Sequence, residues 1–164
     1  MPRGTILWEM KTSQPTGEFH EKLSGRSASS RPNGRAERLA QYSPLPRIVV
    51  VDDDDEIRSI VCDLAHEAIP DATIGEHTSS LHALQEVECG AADLLITNCH
   101  MPDMDGPTLV QTIRRMKNSI PIIMVSGSDD ARQLGERAGI DKFVEKSRLN
   151  AELGDAIHTC LAGG

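Results

Sequence analysis

The chain has 164 residues, a formal net charge of −8, 38 % hydrophobic and 26 % charged residues, a balance that suits a soluble globular protein and excludes a wholly disordered one. Its longest apolar runs, Ile48 to Val51 and Ile122 to Val125, fall far short of the roughly 18 residues that a membrane span needs, and Ile6, Leu7 and Trp8 are too few for the apolar core of a secretory signal. Seven basic against four acidic residues before position 47 leave the remainder at −11, so the body repels phosphate backbones and nucleic-acid binding is disfavoured.

Residues 1–46 read as a disordered basic tail. From Ser24 to Pro46 the chain is rich in Ser, Gly, Arg and Pro and cannot bury enough apolar surface to offset its ordering entropy. The one candidate element there is a short helix around Arg35 to Gln41, and Pro44 and Pro46 mark the boundary. A domain follows over 47–162. Ile48 to Val51 is a β-branched run that suits a strand buried on both faces. Ile57, Ile60, Val61, Leu64, Ala65 and Ala68 form the apolar stripe of a helix that Pro70 ends. Ala72 to His77 reads as a more polar edge strand, and Leu81, Leu84 and Val87 as a helix closing at Gly90. Leu94 to Thr97 is a third strand, Leu109, Ile113 and Met116 a helical stripe, and Ile122 to Val125 a fourth strand. Ala131 to Ala138 is a short helix capped by Gly139, Lys142 to Glu145 a fifth strand, and Leu149, Leu153, Ala156, Ile157, Cys160 and Leu161 the stripe of the last helix.

Five strand–helix units imply an α/β fold, a doubly wound parallel sheet with helices on both faces. Its site belongs at the carboxyl ends of the strands. Strand one ends in Asp52-Asp53-Asp54-Asp55-Glu56. The last three suit the cap and first turn of the following helix. Asp52 and Asp53 precede that helix, where paired carboxylates favour a hard cation such as Mg²⁺. Strand three ends in Asn98, strand four in Ser126-Gly127 and strand five in Lys146-Ser147. Ser128 or Asp129 suits the cap of the fourth helix and Ser147 that of the fifth. Two acids, a hydroxyl and an ammonium on one sheet edge form the set that a phosphoryl group with a divalent cation requires. The cysteines Cys62, Cys89, Cys99 and Cys160 have no metal-site spacing and read as free thiols of a reducing compartment, the cytoplasm.

Val-Asp52-Asp53, Asn98-Cys99-His100-Met101-Pro102-Asp103-Met104-Asp105-Gly106, Ser126-Gly127 and Lys146-Ser147, in this order and spacing, resemble the receiver domain of two-component response regulators. The resemblance implies a flavodoxin-like sheet of order 2-1-3-4-5. It implies Mg²⁺ held by Asp53, by Asp52 through water, by the residue at position 98 and by the backbone carbonyl of His100. It further implies phosphoryl contacts from Ser126 and Lys146, and a signalling switch made by Ser126 and Phe143. The expected partner is a histidine kinase, a phosphotransfer protein or another signalling protein.

The phosphoacceptor position, however, holds Asn98, a neutral carboxamide without the ionised oxygen that acyl phosphate formation needs. Loss of that charge also weakens Mg²⁺ binding, since a unit charge at ~4 Å is worth on the order of 4 kcal/mol at an effective dielectric near 20. Gly127 and Ser147 depart more mildly from the usual alanine and proline. The expectation is therefore a non-enzymatic, single-domain, atypical pseudo-receiver in phosphorelay signalling that works by protein–protein interaction. One alternative is an ordinary phosphorylatable receiver whose Asn98 is engineered or deamidates. A lower alternative is a Mg²⁺-dependent aspartyl phosphatase using Asp52-x-Asp54, Ser126, Asp129-Asp130 and Lys146, against which the order of lysine and late acids speaks.

Overall fold

The computed structural model describes residues 45–163. The tail and its candidate helix lie outside the described residues except for the last two positions. Leu45 is exposed, whereas the Pro46 carbonyl accepts from the Thr73 N–H at 2.9 Å, so the hydrogen-bonded ladder starts one residue before the expected boundary.

Strands β1 (Arg47–Val51), β2 (Thr73–His77), β3 (Leu94–Asn98), β4 (Ile122–Ser126) and β5 (Lys142–Glu145) form one parallel sheet of order β2-β1-β3-β4-β5. Helices α1 (Asp55–Ala68), α2 (Ser80–Glu88), α3 (Gly106–Arg115), α4 (Ala131–Ala138) and α5 (Leu149–Ala162) alternate with them. The doubly wound, flavodoxin-like architecture expected from the sequence is the one found.

The unbroken apolar runs of β1, β3 and β4 follow from two covered faces. Ile48, Val50, Leu94, Ile96, Ile123 and Val125 pack with Val61 and Ala65 of α1 and Leu153 and Ile157 of α5. Their neighbours in the chain, Val49, Val51, Leu95, Ile122 and Met124, pack on the other face with residues of α2, α3 and α4, including Val87, Leu109 and Ala131. Each fully buried Leu or Ile contributes about 1.5–3 kcal/mol, so this double core fixes the strand register that brings the strand ends together. Strand β2 is the expected edge, with only Gly75 buried along it.

Three positions of the expected helical stripes face solvent. Ile60, Leu81 and Met116 are 36 %, 50 % and 41 % exposed, while Cys62, Ala83 and Val110 are buried. The rest of each stripe keeps its place, with Val61, Ala65, Val87, Leu109 and Ile113 buried, and close packing against the sheet leaves only the margin of the stripe in solvent. Two expected caps also differ. Ser147 lies in a 3₁₀ turn, Lys146–Arg148, and donates to Glu145 at 2.7 Å; Arg148, without a side-chain capping bond, is the N-cap of α5. At α4 the N-cap is Asp130, also without a side-chain bond, and Ser128 offers only its carbonyl, to Ala131 N–H at 3.3 Å. The other end of α4 is as expected: Gly139 is left-handed, φ 102°.

Candidate functional site

The carboxyl ends of β1, β3, β4 and β5 lie on one edge of the sheet. The Asp52 N–H donates to the His77 carbonyl at 3.3 Å, extending the β1–β2 ladder one step and holding the Asp52 side chain inward, 2 % exposed. Asp54 caps α1, its carboxylate accepting from the N–H groups of Glu56 (3.0 Å) and Ile57 (3.2 Å). Asp55 and Glu56 occupy the first turn, where the helix dipole favours them. The three acids assigned to capping are thus separated from the two assigned to the site. Asp53 is exposed.

Asn98, 8 % exposed, is the hub. Its amino group donates to Asp52 Oδ1 at 3.1 Å, to Asp53 Oδ1 at 3.0 Å and to the His100 carbonyl at 2.8 Å. Its Oδ1 accepts from the Cys99 N–H at 2.8 Å. The surroundings dictate this orientation. Two carboxylates and a carbonyl are acceptors only, and the Cys99 N–H is a donor only. Turning the amide over sets oxygen against three oxygens and leaves a buried N–H unpaired, a cost of about 1–3 kcal/mol for that donor alone.

Lys146 Nζ lies 3.0 Å from Asp52 Oδ2, and the Asp54 N–H donates to Asp52 Oδ1 at 3.0 Å. Burial raises the Asp52 carboxyl above its usual range, against the lowering effect of the Asp54 N–H and the Lys146 ammonium. An acid whose folded-state pKa is raised costs the fold stability when ionised. That cost is complete above the folded pKa and fades as pH falls toward the unfolded value near 3.8. Lys146→Met removes the countercharge and raises the carboxyl further. We expect a loss of about 2 kcal/mol at pH 7.5, shrinking at pH 5, in urea unfolding followed at both pH values. An equal loss at both would show that the ion pair is not its source.

The remaining expected site residues divide. Ser126, buried, turns into its own loop: its Oγ lies 3.3 Å from Ser128 Oγ and accepts from the Ser128 N–H at 3.3 Å. Ser128 Oγ lies 3.2 Å from His100 Nε2, so the His100 side chain bridges the β3–α3 and β4–α4 loops while its carbonyl faces Asn98. Phe143, half-buried, stands apart from this hub, with the Arg132 guanidinium 4.4 Å from its ring centroid.

Three contributors were missed. Arg58 donates to the Asp52 carbonyl at 2.9 Å from one turn into α1. Ser79 donates to Asp103 at 2.6 Å and Ser80 to the Met104 carbonyl at 2.6 Å. These pin the β3–α3 loop to the start of α2, and the Ser79 hydrogen bond, the largest influence, helps hold Asp103 at a pKa of about 2. No spacing rule links a serine to an acid 24 residues away, so nothing in the sequence signalled the tie.

Asp52, Asp53 and the His100 carbonyl are hard oxygen donors of the kind Mg²⁺ takes. All three, however, are hydrogen-bonded to one amide nitrogen, which stands between them. As arranged, the donor set does not fit the ion.

A family model, the response regulator receiver domain, matches residues 48–158. The chain belongs to that family. Receiver domains are signalling modules of two-component phosphorelays, and they typically hold Mg²⁺ at their acidic site. The chain is 32 % identical over 110 residues to the cyclic di-GMP phosphodiesterase response regulator RpfG of Xanthomonas campestris pv. campestris, covering 65 % of this chain and 29 % of that protein. It is 32 % identical over 111 residues to the transcriptional regulatory protein PrrA of Mycobacterium tuberculosis, covering 66 % and 46 %. It thus spans less than half the length of either curated relative. Among solved structures, a putative response regulator from Chloroflexus aurantiacus superposes with a TM-score of 0.66 at 26 % identity, over 73 % of this chain and 99 % of that one. The chemotaxis protein CheY4 of Vibrio cholerae shares the fold, with a TM-score of 0.59 at 21 % identity over 73 % and 98 %. No helix among the described residues is long and apolar enough to cross a membrane.

Proposed function

We propose that this receiver domain signals by protein–protein contact without being phosphorylated at Asn98, the residue at its phosphoacceptor position. The observation that carries the reading is the hub itself. The atom facing Asp52, Asp53 and the His100 carbonyl is an amide nitrogen that donates to all three. Acyl phosphate formation needs an ionised carboxylate oxygen as nucleophile. Here the only side-chain oxygen of residue 98 is neutral and accepts the Cys99 N–H. The domain is a pseudo-receiver in a cytoplasmic phosphorelay, not an enzyme. Its partner is a histidine kinase, a phosphotransfer protein or another signalling protein that reads its surface. Ser126, Lys146 and Phe143 are carried over as phosphoryl-contact and switch positions.

The deamidation alternative meets the same geometry. Loss of the amide through a cyclic imide requires the Cys99 nitrogen to attack the Asn98 side-chain carbon. That N–H is held as a donor to Oδ1 within a buried strand end. The phosphatase alternative loses Asp54 to the cap of α1.

Incubation with acetyl phosphate and Mg²⁺ is expected to leave the intact mass unchanged. A gain of one phosphate mapping to Asn98 overturns the reading.

A further inference from the structure

We propose that the Asn98 amino group is a built-in occupant of the cation position, so that this receiver domain excludes Mg²⁺ by occupancy and not only through the loss of one charge. The inference deepens the reading above and rests on its assignment of the site. It concerns what fills the site, whereas that reading concerns what residue 98 can accept.

The three oxygens that converge on Asn98 Nδ2, at 2.8, 3.0 and 3.1 Å, come from two elements, β3 with its following turn and the end of β1. An amide NH₂ has two hydrogens, so the three acceptors share them, at least one hydrogen being bifurcated, and the nitrogen stands in the space between the three oxygens. Three of the roughly four lone-pair sites of the Asp52 carboxylate are taken. Its Oδ1 also takes the Asp54 N–H, and its Oδ2 takes the Lys146 ammonium. Mg²⁺ demands oxygens drawn in to about 2.0–2.1 Å, so it enters only after the amino group has left. The one rotation that removes the nitrogen and supplies a ligand oxygen breaks the bond to the Cys99 N–H in a residue that is fully buried. The partial positive charge of the N–H groups and the Lys146 ammonium answer, from within the chain, the negative charge that an ion elsewhere answers. The conformation at this edge is consequently set without metal.

Charge loss and occupancy make opposite predictions for Asn98→Ala. If only charge matters, this variant and the wild type bind Mg²⁺ alike, since neither has an acid at 98. If the amino group blocks the site, removing it frees Asp53 and the His100 carbonyl, and affinity rises by about tenfold or more. The experiment uses the full chain labelled with ¹⁵N, Mn²⁺ as a broadening probe and Mg²⁺ as competitor. The expected result is selective broadening of residues 52–54 and 98–101 in Asn98→Ala, at Mn²⁺ concentrations that leave the wild type unaffected, reversed by Mg²⁺. Equal broadening, or tighter binding by the wild type, overturns the proposal. The wild type supplies a second reading that needs no variant. The two Asn98 side-chain N–H signals should stay in place at millimolar Mg²⁺, and their displacement counts against occupancy. Phosphate uptake at Asn98 would sink the functional reading alone, whereas metal binding by an unphosphorylated wild type would sink this one alone.

Discussion

Asn98→Asp is expected to make the metal-free protein less stable by about 2–3 kcal/mol at neutral pH, and to make it a phosphate acceptor. The substitution removes the donors that satisfy Asp52, Asp53 and the His100 carbonyl and sets a third carboxylate against the other two. Crowded like charges raise the folded-state pKa of the group, so the loss is complete above that pKa and shrinks as pH falls through it. Calorimetry should show a melting temperature lower by roughly 4 °C per kcal/mol. Mg²⁺ should restore it in the variant and leave the wild type unmoved, because a ligand that binds only the folded state stabilises it by mass action. With acetyl phosphate and Mg²⁺ the variant should gain one phosphate at position 98. A variant as stable as the wild type, indifferent to Mg²⁺ and still unphosphorylated would mean that the carboxamide is not what separates this domain from a phosphate-accepting one.

Gly106→Ala carries the largest structural effect, about 3 kcal/mol or more. A Cβ at this position meets the Asn98 carbonyl oxygen at 2.1 Å and the Cys99 Cα at 3.2 Å. Both are backbone, so no side chain can swing aside. The same residue donates its N–H to the Cys99 carbonyl at 2.8 Å and opens α3, whose cap Asp105 accepts from Thr108 N–H at 2.8 Å. Relief of the clash moves the loop that carries the His100 carbonyl, so the Asn98 side-chain amide signals should shift along with the melting temperature. A destabilised variant with those signals unmoved would place the damage elsewhere than at the hub.

The fold was legible because its cause is local and repeated. A sheet covered on both faces makes apolar runs such as Ile122 to Val125, and helices on those faces make apolar stripes. What lies at each strand end could therefore be named in advance, and Asp52, Asp53 and Asn98 do meet, joined by the His100 carbonyl that only the family resemblance had implied. Which residue of a stripe faces inward was harder to read. Ile60 and Met116 fit the period but lie outward, since packing against a particular sheet chooses among periodic candidates.

By itself, the order of residues determined the α/β class, the strand–helix count, the edge of the sheet where chemistry belongs and the presence there of a carboxamide in place of an acid. Only the tertiary structure decided which way that carboxamide points, that its nitrogen answers three oxygens from two separate strand ends, and that Lys146 and Arg58 reinforce Asp52 from the turn after β5 and from α1. The division has a physical reason. Burial and periodicity are properties of a segment, carried along the chain, whereas the partner of a hydrogen bond is fixed by donors and acceptors that meet only once the sheet has closed its register.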